Sequence, residues 1–193
     1  MSTAYHRKKQ PETVRRALLD QAAQLAADRG LAAVTVQAVS DAAGVTKGGF
    51  LHHFASKQAL IDVVFKDMLT SLDTDIERHI AADSHAYGSF TRAYLATVLT
   101  IPAQCQGTPG TVLTLSMLAD PHLRVAWATW IEQRLEQHHA TDADAELTQI
   151  RLAADGIWLA DLTGIHLPDR EEVVRALRAR TYRPGTDSQK SRD

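Results

Sequence analysis

The chain has 193 residues, 45% apolar and 23% charged, with a net charge of −2 at neutral pH. That length suits one small and one medium packed domain, and no stretch approaches the ~20 apolar residues of a membrane span. The single cysteine, Cys105, excludes an internal disulfide framework, and cytoplasmic residence is the default expectation. With no Lys or Arg beside it to lower its pKa, Cys105 reads as an apolar filler rather than a redox sensor.

The opening residues 1–10 carry His6, Arg7, Lys8 and Lys9 with few apolar residues. They are no signal peptide, because no apolar core follows the charges. They read as a flexible basic arm, lying near nucleic-acid phosphates or the minor groove, or else as a solvated tail. Pro11 suits the first turn of a helix. Val14, Leu18, Ala22 and Leu25 follow at helical spacing, and Gly30 ends the element, predicting a helix over 12–29.

Residues 35–60 read as two short helices joined by a tight turn, followed at once by a long third one. Thr35 caps a helix whose inward positions are Val36, Val39, Ala42 and Ala43. Gly44 then stops it in the left-handed region, and Val45 fills the space before the next helix. Thr46 caps that helix. Phe50 and Phe54 lie on its inward face, and Lys47, Gly48, Gly49, His52 and His53 lie on the other. Each interior glycine costs about 0.8–1.0 kcal/mol against alanine. A pair in one short helix therefore implies close approach to a large surface, such as a DNA groove. The arrangement is a helix-turn-helix with its supporting helix.

Ser56 caps a helix predicted over 57–80, with Leu60, Val64, Met68, Leu72, Ile76 and Ile80 in a stripe that Ile61 and Phe65 widen at its front. From about 85 to 101, Tyr87, Phe90, Tyr94, Val98 and Ile101 share a face, and Gly107, Pro109 and Gly110 mark a break. Residues 111–119, TVLTLSMLA, are apolar nearly all round, which predicts a helix buried on most sides. Asp120 and Pro121 start another, with Leu123, Trp127, Trp130, Ile131 and Leu135 on one broad face. Thr141 and Asp144 have capping-box spacing before a helix running to about His166. Asp169 and Glu172 repeat that spacing before a last helix with Val173, Ala176 and Leu177 inward. Residues 183–193 read as a disordered tail. The expected fold is all-α, with about nine helices. A three-helix DNA-binding domain at 11–56 precedes a helical ligand-binding and dimerisation domain at 57–182, with 57–80 as the connecting helix.

Charge divides along the same line. Residues 1–66 hold nine Lys/Arg against five Asp/Glu, and residues 67–193 hold twelve against eighteen. A basic front and an acidic rear suit a DNA-reading domain joined to something else. The rear also collects all three tryptophans and most of the other aromatics. Phe65, Met68, Phe90, Tyr94, Thr114, Met117, Trp127, Trp130, Asp155 and Trp158 are its candidate ligand-lining residues, since aromatics and methionines line adaptable pockets. At helical spacing they serve equally as core. Asp155 and Asp161, about 240° apart around one helix, either receive a cationic ligand beside Trp158 or take an Arg or backbone partner. The second reading is favoured for each.

The segment TKGGFLHHFASKQAL resembles the recognition-helix signature of the tetracycline-repressor (TetR) family, matching it at Thr46, Lys47, Gly48, Phe50, His53, Phe54, Ser56, Lys57 and Leu60. The likeness extends over roughly 11–66. Leu51 and His52 depart from it, standing where the family frequently carries a phosphate-reaching tyrosine, and Ala55 replaces a frequent proline. LAADGIWLADL resembles the matching helix of multidrug-binding repressors. The resemblance implies an operator-binding dimer released by a small hydrophobic or cationic effector. Its DNA contacts would be Thr35, Gln37, Thr46, Lys47, Gly48, Gly49, His52, His53 and Lys57, with Lys47 as base reader. The last two helices would meet their copies in a four-helix bundle through Leu147, Ile150, Ala154, Ile157, Val174 and Leu177, a set that also completes the core of the single chain, the two roles split by face.

Enzyme chemistry finds no support. There is no metal-spaced Cys/His set, no glycine-rich phosphate loop after a strand and no nucleophile motif. His138, His139 and Asp142 sit at a polar helix end and are not read as a metal site. No cofactor is implied. Activation in place of repression, or an adaptor role without a small-molecule effector, stays open.

Overall fold

The computed structural model describes residues 11–99 and 109–183. The basic arm, Cys105, Gly107 and residues 184–193 lie outside them. The described residues form ten α-helices and no strand. None of these helices is long and apolar enough to cross a membrane. The chain divides into two compact units. One comprises described residues 11–69 and 109–127, the other 70–99 and 128–183. The expected domain boundary lies ahead of residue 57, whereas the two units part between Leu69 and Thr70, within the helix that begins at Lys57.

The first unit begins with α1 (Pro11–Arg29), a 3₁₀ turn (Leu31–Ala33), α2 (Val36–Ala43) and α3 (Lys47–His53), followed by the start of α4 (Lys57–Ala81). Helix α6 (Pro109–Ala119) and the start of α7 (Pro121–Gln137) complete it. Helix α1 packs against α2 and α6, and α2 against α3. Leu18, Leu19, Ala22 and Ala26 of α1 are buried, as are Val39, Phe50, Phe54, Leu60 and Leu113. On α2 the inward set differs from expectation. Ala42 is exposed, and Ser40 is buried instead. Its hydroxyl donates to Val36 O at 2.6 Å, which is how a polar side chain enters a helix's inner face without an unpaired group. Helix α6 is not buried on most sides. Leu113 is inside, but Leu118 is 61% exposed and Leu115 39%, because only one face of the helix is packed.

The second unit is organised around α5 (Ser89–Val98), with the later part of α7, the single turn α8 (His139–Asp142), α9 (Ala145–Thr163) and α10 (Arg170–Ala179). Helix α5 packs against α8 and α9, and nine of its residues are buried. It starts at Ser89 rather than near 85, leaving Tyr87 outside. Gly88 sets that start. Its φ is +72°, and a Cβ there would stand 2.4 Å from Thr181 O, so both conformation and space demand glycine.

A helix buried all round must satisfy its polar groups inside. Asp142, 2% exposed, does this at the N-terminus of α5. It accepts from the Phe90 and Thr91 N–H groups at 3.3 and 2.8 Å and from the Thr91 hydroxyl at 2.6 Å. Arg151 stands 3.8 Å from the same carboxylate and donates to the Thr91 hydroxyl at 2.6 Å. Arg92, 4% exposed, is equally committed. It donates to Asp83 at 2.5 Å, to His85 O at 2.6 Å and to Thr181 O at 2.9 Å. Burial acts to raise the Asp83 pKa, but the Arg92 hydrogen bond, the His85 N–H and the two neighbouring charges hold it below the ordinary carboxylate value.

Two helix ends differ from the expected capping boxes. Asp144, not Thr141, caps α9, accepting from the Glu146 N–H at 2.8 Å; Thr141 donates instead to Asp142 at 2.8 Å. Helix α9 stops at Thr163, where Gly164 turns left-handed with φ 73°. Asp169 sits at φ 54° and makes no side-chain cap. A left-handed residue does not aim its carboxylate at the first turn. On α10, Leu177 is buried but Val173 and Ala176 are exposed.

Removing the Asp142 carboxylate leaves the start of α5 uncapped and the Arg151 charge buried beside it. Asp142→Ala is expected to lower stability by about 3–5 kcal/mol. Urea unfolding checks this, and an unchanged midpoint would contradict the role given to Asp142.

Candidate functional site

The outward face of the first unit is built by short-range chemistry. The Thr35 hydroxyl accepts the Ala38 N–H at 3.1 Å, and the Thr46 hydroxyl accepts the Gly49 N–H at 3.0 Å. Each satisfies a helix-start donor. Between them Gly44 turns left-handed with φ 65°, and half-buried Val45 follows. Ser56 accepts the Ala59 N–H at 3.1 Å to open α4. Helix α3 is fixed from its inner side by Phe50 and Phe54, both buried, with ring centroids 5.9 Å apart. The Arg15 guanidinium lies 5.2 Å from the Phe54 ring.

Lys47, Gly48, Leu51 and His52 are exposed on α3, and Gly49 and His53 are half-buried. Gln37 is exposed on α2 and donates to Asp41 at 2.8 Å. Lys57 is half-buried and donates to Leu31 O at 3.1 Å. It therefore ties the 3₁₀ turn to the start of α4, a structural task the sequence did not reveal. Neither glycine of α3 is required by the chain's own packing. A Cβ on Gly48 would meet only the Thr46 hydroxyl at 3.8 Å, and one on Gly49 would make ordinary contacts at 3.5 and 3.6 Å. Neither has a positive φ.

The ligand candidates fall in both units. In the first, Phe65 is buried, and Met68, Thr114, Met117 and Trp127 are half-buried. Thr114 donates to Met68 Sδ at 3.6 Å. In the second, Phe90 and Tyr94 are buried with rings 6.1 Å apart, and Phe90 stacks on His138 at 4.9 Å. Trp130 is buried and donates to Asp73 at 2.9 Å, which Arg134 also reaches at 2.9 Å. Trp158 and Asp155 are half-buried one helical turn apart. The second unit thus brings Phe90, Tyr94 and Asp155 together, with Tyr94 donating to Asp155 at 2.6 Å.

Burial raises the Asp155 pKa, opposed by the Tyr94 hydrogen bond and the Arg151 charge. Burial and the Asp155 charge raise the Tyr94 phenol too. Asp161 is paired with Arg170, at 2.9 Å to Nε and 2.7 Å to Nη2. A cleft of about 330 Å³ in the second unit is lined by His79, Asp83, His85, Arg92, Arg178 and Tyr182 among others. None of the ligand candidates borders it. Among the described residues, no group of three or more His, Cys, Asp or Glu is placed to hold a metal.

The proposed dimer residues are used within one chain. Leu147, Ile150, Ala154, Ile157 and Leu177 are buried, and Val174 is half-buried. They lie on the core side of the expected split between core and dimer faces. The apolar residues left outside on these helices are Leu152, Leu159 and Val173, with Ile165 in the loop between them.

Capped α2, a left-handed glycine and a capped α3 with an outward face constitute a helix-turn-helix regulator architecture. The family model described as bacterial regulatory proteins, tetR family, matches residues 18–64. The model described as tetracyclin repressor-like, C-terminal domain, matches residues 88–182. The chain belongs to the tetR family of bacterial regulatory proteins. It is similar to the HTH-type transcriptional repressor KstR2 of Mycolicibacterium smegmatis, 45% identical over 60 residues, covering 31% of this chain and 29% of that one. The KstR2 of Rhodococcus jostii is 47% identical over 55 residues, covering 28% and 27%. The match therefore spans less than a third of these relatives' length.

Similar solved structures include a transcriptional regulator from Streptomyces coelicolor A3(2), with TM-score 0.70 and 19% identity over 87% of this chain and 97% of that one. Another is the multidrug binding protein EbrR complexed with malachite green, with TM-score 0.68 and 21% identity over 86% and 96%. Both share the fold.

Asp155 yields a pH-dependent expectation. Its pKa is raised in the folded chain above the ordinary 3.8, so the folded state favours the protonated form. Stability is lost as pH rises from the unfolded carboxylate's range through the raised value. Asp155→Asn keeps an acceptor for Tyr94 without the desolvated charge. Its melting temperature is expected to exceed the wild type's at pH 7, with the advantage vanishing below pH about 4. A variant less stable at pH 7 would overturn this account of Asp155.

Proposed function

We propose that the protein is a transcriptional repressor that binds a near-palindromic operator as a homodimer and leaves it when a small apolar or cationic effector binds the second unit. The observation that carries the reading is α3 itself. It is anchored inside by Phe50 and Phe54 and carries outside a lysine, a histidine and two glycines that nothing in the chain requires. The likeness of the first unit to repressors supports it. Two copies would place their α3 helices in successive major grooves, about 34–36 Å apart. Lys47 would read a guanine edge. Thr35, Gln37, Thr46, His52 and His53 would seat the helix on the backbone, with Gly48 and Gly49 allowing its close approach to the groove and Lys57 near them but held by Leu31 O.

The effector reading rests on Asp155, a half-buried carboxylate beside Trp158 and Tyr94. Such a group attracts an apolar cation by charge pairing and ring contact. EbrR, a fold neighbour, has been solved with ethidium as well as malachite green, both cationic dyes. Of the remaining ligand candidates, Phe90 and Trp130 of the second unit are proposed to support the site, whereas Phe65, Met68, Thr114, Met117 and Trp127 belong to the first unit. Helix α4 carries residues of both units, so its displacement would transmit occupancy to α3. Near-complete switching, from 1:99 to 99:1, takes about 5.5 kcal/mol of differential affinity. The dimer surface is assigned to the outer stripe of α9, where Leu152, Gly156 and Leu159 share a face. Apart from its two chain neighbours and its own helix backbone, no atom lies within 4 Å of the Cβ position of Gly156, so a partner helix can approach closely there. Function in the cytoplasm follows from this reading.

In a fluorescence-anisotropy titration, Lys47→Ala is expected to weaken operator binding by about 1–3 kcal/mol. Wild-type affinity is expected to fall steeply with salt, and ethidium, tested without DNA because it intercalates into duplexes itself, is expected to quench the tryptophan fluorescence saturably. Salt-independent binding would count against the DNA reading, and ethidium without effect against a cationic effector. Leu159→Arg is expected to convert dimer to monomer in sedimentation at micromolar protein; an unchanged mass would remove α9 from the dimer surface.

A further inference from the structure

We propose that Leu51 reads a thymine, packing against its 5-methyl group in the major groove, with Gly48 as the gap that admits the base edge. This rests on the DNA-binding reading above. Leu51 is 46% exposed, although its neighbour Phe50 on the same seven-residue helix is fully buried and, with Phe54, supplies the packing that holds the helix. Lys47 lies one turn before it, Gly48 three residues before it and His52 beside it, all exposed. These positions share the outward face. Leu51 has no donor or acceptor, so it can neither hold a phosphate nor bond a base edge. The contact open to it is apolar, and thymine is the base that presents a methyl group in the major groove.

Gly48 points the same way. Its Cβ position is open and its backbone is ordinary helix, so the chain gains nothing from the missing side chain. Glycine here weakens the helix and makes room only for something outside the protein. Next to it stands the largest apolar side chain of the face. A gap beside an apolar projection is the relief that fits a base edge bearing a methyl group. The excess of basic residues over 1–66, nine Lys/Arg against five Asp/Glu, suits a nucleic-acid duplex and not an apolar protein surface.

The test uses the full-length protein and a duplex selected by it from a random-sequence library. Each thymine of that duplex is then replaced in turn by deoxyuridine, which removes the methyl group and keeps the base pairing. At one position per half-site, the wild type is expected to bind the deoxyuridine duplex about fourfold more weakly, the scale of one buried methyl. Leu51→Ala is expected to bind the two duplexes equally. Gly48→Ala is expected to lose at least tenfold in affinity with no fall in melting temperature.

Three results would overturn the proposal: uniform indifference of the wild type to deoxyuridine, unchanged sensitivity in Leu51→Ala, or full affinity in Gly48→Ala. If the wild type selects no duplex at all, the DNA-binding reading fails first and this one with it. If it selects a duplex but ignores the methyl groups, only the role of Leu51 falls.

Discussion

Helix α5 has no outward face, and the second unit is arranged around that constraint. A helix presents unsatisfied N–H groups at its start whatever surrounds it. In water they are solvated; in the interior they need a partner brought from elsewhere. Asp142 supplies it from α8, and Arg151 of α9 balances the charge. Arg92 pins the loop at 83–85 and the turn at 181 to the same helix. These buried ionic groups are costly to desolvate, but each has its full set of partners. Together they place Tyr94 where its hydroxyl meets Asp155.

The first unit solves a different problem. Its recognition surface has to be rigid yet bare. Rigidity comes from inside, through the Phe50–Phe54 pair, the caps at Thr35, Thr46 and Ser56, and the Lys57 bond to the 3₁₀ turn. The outer face of α3 then contributes nothing to holding the helix. That separation is what lets glycines and an exposed leucine occupy it. Glycines that weaken the helix and a leucine that leaves apolar surface in water become interpretable once neither has an internal role.

The helix-turn-helix was legible because its determinants are local. A threonine cap acts on an N–H three residues away, Gly44 acts on its own φ, and Phe50 meets Phe54 across one turn. The same kind of reasoning reaches its limit at other elements. The Asp169–Glu172 spacing looked like a capping box, but Asp169 adopts a left-handed conformation that misaims its carboxylate. TVLTLSMLA read as buried on most sides, yet one face of α6 is open. Leu147, Ile150 and Ala154 share a packed stripe, and spacing alone leaves open whether such a stripe meets its own chain, as it does here, or a copy. Periodicity tells which residues share a face; it carries no information about what that face meets.

The sequence by itself determined the all-helical class, the two capped helices and their turn, and the family to which the chain belongs. These depend on contacts within about one helical turn. The tertiary structure alone decided that Asp142 caps α5, that Arg92 joins Thr181 and that Asp155 is held by Tyr94, pairs separated by 51, 89 and 61 residues. Such pairs leave no mark in local spacing. They form because a polar group carried into the interior must find a partner there, and only the folded chain determines which one lies within reach.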